Sequence, residues 1–192
     1  HEPEMNLLEG SFLIKFKLRI QDEIVDTNLI NVNQVRSKVL KGQKIVQSDL
    51  DLVNKYTTYE EVEHVMSYTW PFHFEIKNDK LIFSRHDGKI ETKLEYDLLE
   101  GEYDIQLYRY TSGSVFKIAM FINGALFQNV TDNTKYTSND YDLIIGNFNN
   151  ESASTDEFNI TLSSIEIFNK LNVNTIQDIS DLATDLAFDD YN

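Results

Sequence analysis

A chain of 192 residues fits one domain, and 41% hydrophobic residues, with 12 Phe and 10 Tyr, are ample for a two-layer core. A net charge of −15 argues against nucleic-acid binding through the phosphate backbone, which needs a basic stripe, and sets the chain against anionic membrane surfaces. The absence of cysteine removes disulfides, thiolate nucleophiles and zinc–thiolate centres, and no apolar run is long enough to cross a membrane as a helix.

Residues 1–9 form a lead with little periodicity. Its start, His1-Glu2-Pro3-Glu4, has neither the basic region nor the apolar run of a secretion signal. Ser11 to Ile20 is the first clear strand, with Phe12, Ile14, Phe16, Leu18 and Ile20 on one face and Lys15, Lys17 and Arg19 on the other. Thr27 to Val32 reads as a second short strand. Between residues 33 and 58 the pattern weakens. Lys44 to Val46 has strand character there, and Asp49 to Lys55 that of a turn or short helix. Thr58 with Glu61 forms a capping box, which predicts a helical turn or two over Thr58 to Met66.

Phe72 to Ile76 and Lys80 to Ser84 flank Asn78-Asp79 as a hairpin, and Arg85-His86-Asp87-Gly88 turns the chain into a strand over Lys89 to Leu94. Two long alternating strands follow, Glu102 to Tyr110 and Val115 to Ile122. Asn123-Gly124 is the strongest short-range hairpin signal in the chain, and Ala125 to Gln128 is the returning strand. Tyr141 to Ile145 ends at Gly146, and residues 147–157 read as a polar loop. The last strand, Phe158 to Phe168, changes phase at Ser163-Ser164, which marks a bulge or bend.

The tail changes period. Over Thr175 to Leu186, Ile176, Ile179, Leu182, Ala183 and Leu186 recur at helical spacing, with Asp178, Asp181 and Asp185 opposite. Such a stripe needs cover, either from its own sandwich or from a partner. The pattern as a whole predicts an all-β, two-sheet antiparallel sandwich with a short C-terminal helix. The lead spans 1–9, the sandwich 10–170, and the helix and tail 171–192.

The residues carry little catalytic chemistry. His64, His73 and His86 lie at spacings that form no metal motif, and Glu91, Glu95 and Asp97 read as a solvated strand face. Three Asn-x-Ser/Thr triplets, at Asn129, Asn150 and Asn159, arise easily in so Asn-rich a chain. Aromatic residues are the better candidates for recognition, because sugar rings stack on aromatic faces while nearby Asn and Asp take their hydroxyl hydrogen bonds. Tyr56, Tyr59, Tyr68 and Tyr136 are the candidate ligand-binding residues. Trp70, just before Pro71, is expected as a core anchor.

From Gly10 onward the order of elements resembles the concanavalin A-like lectin/glucanase superfamily, and laminin-G-like modules in particular. The resemblance rests on the segments at 10–16, 80–84, 102–107 and 116–124, on Leu143-Ile144-Ile145-Gly146, and on the segment at 163–169. It implies a jelly-roll sandwich. It also implies a rim site for calcium, built from Asp and Asn of neighbouring loops, with Asp132, Asp140, Asn147 and Asn149 as candidate ligands. These residue types equally form turns by capping their own backbone. The glucanase branch carries Glu-x-Asp-x-x-Glu on one strand, which this chain lacks, so no enzymatic activity is expected. Tyr103-Asp104 stands where the modules usually have Trp and His, and the stretch at 33–70 is longer than theirs, which points to a divergent member.

The resulting expectation is a non-catalytic module that binds a glycan or surface polymer in adhesion or receptor recognition, outside the cell, at a cell surface or on a virion. The alternative is a structural component of a phage, virus or surface assembly that packs against copies of itself. Neither reading involves nucleic acid or membrane insertion.

Overall fold

Alternation becomes strand wherever it is strong. The computed structural model describes residues 10–21, 24, 26–33, 70–136, 142–146, 160–169 and 171–188. Outside them lie the lead at 1–9, the expected strand at Lys44 to Val46, the turn or helix at Asp49 to Lys55 and the capping-box helix at Thr58 to Met66. The described residues form β1 (Phe12–Ile20), β2 (Thr27–Asn33), β3 (Trp70–Lys77), β4 (Lys80–His86), β5 (Glu91–Asp97), β6 (Gly101–Ser112), β7 (Val115–Ile122), β8 (Ala125–Asp132), β9 (Asp142–Ile145) and β10 (Ile160–Asn169). One helix follows, α1 (Ile176–Phe188).

Two five-stranded sheets result, a first in the order β10-β1-β6-β7-β8 and a second in the order β5-β4-β3-β2-β9. Every neighbouring pair is antiparallel. The chain is therefore an all-β sandwich, with one short C-terminal helix. The hairpins at Asn78-Asp79 and Asn123-Gly124 turn with φ of 51° and 58°, and of 52° and 77°. These left-handed pairs match the right-handed twist of the strands they join.

The phase change at Ser163-Ser164 is a bulge. Lys15 pairs with Glu166 but Lys17 with Ser163, so β10 spends one extra residue against Phe16, and Ser164 sits at φ 52°. The bulge returns Ile165 and Ile167 to the core side, where they pack half-buried beside Ile160 and Leu162.

The core lies between the sheets. Phe12, Ile14, Phe16, Leu18 and Ile20 are all buried, as are Ile118, Met120 and Ile122 across the same layer. Facing them from the second sheet, Phe74 meets Phe16 edge-on at 5.0 Å and Phe72 meets Phe12 at 6.2 Å. Burying one such ring contributes about 1.5–3 kcal/mol.

The helix docks on its own sandwich. Thr175 caps it by accepting the Asp178 N–H at 3.1 Å. Ile179 and Ala183 are fully buried against Leu13, Tyr108, Tyr110, Ala119 and Phe121, which form the outer face of β1, β6 and β7. The end of the helix carries no basic residue of its own. The sheet supplies the donors instead: Lys15 Nζ donates to the Leu186 carbonyl at 3.0 Å and Gln106 Nε2 to the Ala183 carbonyl at 3.1 Å. A cation at this end also complements the helix dipole. Tyr108 completes the seam by donating to Gln106 Oε1 at 2.6 Å, and burial, then the nearby Asp104 charge, pushes its phenol well above the usual range.

Candidate functional site

One end of the sandwich combines a buried ionic cluster with an aromatic platform on the outer face of the second sheet. The cluster follows from strand phase. Arg85 is in phase with Leu81 and Phe83 on β4, Arg109 with Ile105 and Leu107 on β6, and Asp132 with Val130 on β8, so all three side chains point between the sheets. Asp132 Oδ2 lies 2.7 Å from Arg109 Nε and 3.2 Å from Arg85 Nε. Its Oδ1 accepts the hydroxyls of Thr92 at 3.0 Å and Thr134 at 2.7 Å. Burial alone would raise the Asp132 carboxyl. The Arg85 charge and the hydrogen bonds from Arg109 and Thr134 outweigh it and hold the group below the ordinary carboxylate range.

Both guanidiniums also lie against aromatic faces. Arg85 lies over the rings of Tyr136 at 5.0 Å and Phe12 at 5.5 Å, and Arg109 over Phe116 at 3.8 Å. Arg109 also donates to the Gly10 carbonyl at 2.8 Å. Because Arg85 and Thr92 belong to the second sheet and Arg109 and Asp132 to the first, this cluster ties the two layers together at their end.

The platform sits just outside it. Tyr136, buried, donates its hydroxyl to the Trp70 carbonyl at 3.3 Å, and burial pushes its phenol up to about 12. Asp87 straps the same segment down by accepting Lys135 N–H at 2.9 Å, along with the N–H groups of Lys89 and Ile90. Those backbone donors, led by Ile90, overcome the effect of burial and keep Asp87 below the ordinary range.

Trp70 is not the core anchor that alternation predicts. In phase it matches Phe72 and Phe74, but it pairs with His86 while His73 pairs with Ser84, so β3 carries one extra residue around Pro71. Proline removes a ladder donor and favours such a bulge. The bulge turns Trp70 to the outer face. There its ring stacks on His86 at 4.6 Å with an interplanar angle of 23°, meets His73 edge-on at 6.5 Å, and donates Nε1–H to Ser84 Oγ at 3.0 Å. His86 is accordingly half-buried, and its Nδ1 accepts the Gly88 N–H at 3.0 Å.

Around this plate stand polar groups. His73 Nε2 is 3.1 Å from Asn28 Oδ1 and 3.9 Å from a Glu75 oxygen. Burial lowers the His73 pKa more than Glu75 raises it, so the imidazole tends toward its neutral form. Further along the face, Lys93 pairs with Glu95, and Lys80 reaches Glu95 at 3.5 Å and Asp97 at 3.2 Å. Glu91, Lys93 and Glu95 share this exposed face, as their spacing predicts. Hydrogen bonding from Lys93 holds Glu95 below its usual range.

Of the candidate residues from the sequence, two fall within the described residues. Tyr136 and Asp132 come together, but inside the protein: one ring lies beneath Arg85, and the carboxylate sits at the end of a strand rather than in a rim loop. Both Asp132 oxygens are engaged by arginine and threonine. Tyr56, Tyr59, Tyr68, Asp140, Asn147 and Asn149 lie outside the described residues. Arg85, Arg109, Thr92 and Asn28 are not singled out by the sequence, although one signal is available for the cluster. A charged residue in phase with core residues on three separate strands announces buried ion pairing.

No family model matches the chain. No curated protein matches it either. Solved structures do. The botulinum neurotoxin type G receptor-binding domain aligns at 12% identity and a TM-score of 0.53, over 93% of this chain and 38% of that one. The binding domain of botulinum neurotoxin DC in complex with SialylT aligns at 13% identity and 0.52, over 97% and 38%. The HCR/D-Sa-GBL1/C structure aligns at 13% and 0.53, over 95% and 37%. This chain shares their β-sandwich fold. It spans less than two-fifths of the length of each.

Proposed function

We propose that this chain is a non-catalytic recognition module that binds glycans at a cell surface, outside the cell. The observation that carries the reading is the Trp70 platform: an indole held flat against His86 and tied to Ser84, bordered by the amide, imidazole and carboxylate of Asn28, His73 and Glu75. A sugar ring offers an apolar C–H face for such a plate and hydroxyls for such a border. The buried cluster behind it holds the platform in place before any ligand arrives, which lowers the ordering cost of binding. Tyr56, Tyr59 and Tyr68 are proposed as further ligand-binding residues. The sandwich likeness to receptor-binding domains, one of them in complex with SialylT, supports the reading, as does the resemblance to laminin-G-like modules.

The carboxylates of β5 fit recognition better than hydrolysis. A general acid needs its pKa raised, and Glu95 is held low beside Lys93. A glycan array probed with the purified chain tests the proposal. Wild-type signal on a defined set of glycans, lost in Trp70→Ala with the fold intact by circular dichroism, is the expected result. Silence across host and bacterial glycans would sink it.

A further inference from the structure

We propose that the Trp70 platform selects neutral glycans over sialylated or sulfated ones, with Glu75 as the residue that sets the preference. This preference presupposes the glycan-binding reading above and gives that site its ligand class.

The ladder shows where charge sits on the open face. From the indole outward, its rows across β3, β4 and β5 are Trp70–His86–Glu91, His73–Ser84–Lys93 and Glu75–Ile82–Glu95. They hold three carboxylates and one lysine, and that lysine is bonded to Glu95. Cations outnumber anions only in the row farthest from Trp70, Lys77–Lys80–Asp97, where Glu95 and Asp97 hold Lys80. On β2 the residue facing Glu75 is Asn28, which is uncharged.

Glu75 is the carboxylate set into the platform itself. One of its oxygens lies 3.9 Å from His73 Nε2, and the His73 ring meets Trp70 edge-on at 6.5 Å. Its side chain is only 28% exposed, so solvent screens it less than the 87% exposed Asp97. Among the described residues, no lysine or arginine comes within ion-pair distance of it. Burial keeps His73 toward its neutral form, which leaves the Glu75 charge uncancelled.

A carboxylate accepts hydroxyl hydrogen bonds and donates none, so it suits the polyol edge of a neutral sugar and repels a second carboxylate or a sulfate. The net charge of −15 adds to that repulsion at longer range. An anionic glycan would have to turn to Lys89 and Lys135, exposed in the strap beyond His86, where Asp87, bonded to both backbones, opposes it.

An array carrying neutral oligosaccharides beside their sialylated and sulfated counterparts tests this, read with wild type, Glu75→Gln and Glu166→Gln. Wild type is expected to bind the neutral members roughly tenfold more strongly at low salt, a gap that narrows as salt screens the repulsion. Glu75→Gln keeps the shape of the side chain and is expected to raise binding of the anionic members roughly three- to tenfold. Glu166→Gln, exposed on β10 of the other sheet, changes the net charge equally and is expected to leave the gap as it is. Unfolding midpoints check that both variants fold. Equal or stronger binding of anionic members by wild type overturns the proposal while the glycan-binding reading stands. So does a Glu75→Gln protein that gains nothing on them, or a gap that Glu166→Gln closes as far. Silence on every glycan removes both.

Discussion

The two outer faces of the sandwich arise from the same period-two alternation yet meet different fates. On the first sheet the outward positions include Leu13, Tyr108, Tyr110, Ala119 and Phe121, and α1 closes over them. On the second sheet they include Asn28, His73, Glu75, Ser84, His86, Lys93 and Glu95, with Trp70 as the large apolar exception. The lesson is that alternation defines two faces but not which of them is solvated. The outward set decides that. An apolar outward set recruits a third layer, and a polar one leaves a surface on which a single fixed indole becomes a feature that a ligand can read.

The largest expected effect comes from breaking what lies beneath both faces. Asp132→Asn removes the carboxylate that Arg85 and Arg109 share in the buried cluster, and chemical denaturation is expected to show a loss of about 3–5 kcal/mol. The pH dependence follows from the depressed carboxyl. Its contribution is complete above the ordinary carboxylate value of about 4 and is lost as pH falls below that toward the folded-state value. Wild type is therefore expected to lose stability more steeply on acidification in that window than Asp132→Asn does. Parallel curves for the two proteins would remove the cluster from the account.

On the covered face, Ile179→Ala opens a cavity at the centre of the helix seam and is expected to cost about 2–5 kcal/mol. Deleting residues 174–192 is expected to lower stability further while uncovering Leu13, Tyr108 and Phe121, with increased binding of a hydrophobic dye as the readout. An unchanged thermal midpoint would mean that the helix contributes nothing to the fold.

On the open face, Trp70→Ala removes a half-buried ring and its bond to Ser84, a smaller cost of about 1–2 kcal/mol. Its main effect is expected on ligand binding, not on folding. A Trp70→Ala protein that unfolds like Ile179→Ala would show that the indole serves as core after all. The smallest effect belongs to Lys15→Met, which removes the cation that caps α1 at the Leu186 carbonyl. About 1 kcal/mol is expected, read as a small shift in the unfolding midpoint.

Much of the scaffold was legible before the coordinates. Both left-handed hairpin turns, the bulge at Ser163-Ser164 and the apolar stripe of α1 are written in residues adjacent in the chain, because turn chemistry, phase and helical period are local properties. The inward faces of β1 and β7 follow for the same reason. Trp70 shows where local reading stops. Its phase matches the core, and the bulge that reverses it is defined by which residues of β4 it pairs with. The site was less legible than the scaffold, since Asp132 meets Arg85 and Arg109 only through the pairing of strands far apart in the chain.

The sequence by itself determined which segments are strands, how consecutive ones turn, and that a C-terminal helix must bury one face. Only the tertiary structure decided that β1 lies between β6 and β10, that β2 lies between β3 and β9, and that α1 docks in cis across β1, β6 and β7. It alone brought one carboxylate between arginines from two sheets. Pairings of that kind join residues far apart in the chain, as Arg85 and Asp132 are, and no local window of residue types records which of many compatible partners each strand will meet. The choice is made by how the faces pack together once the chain has closed on itself.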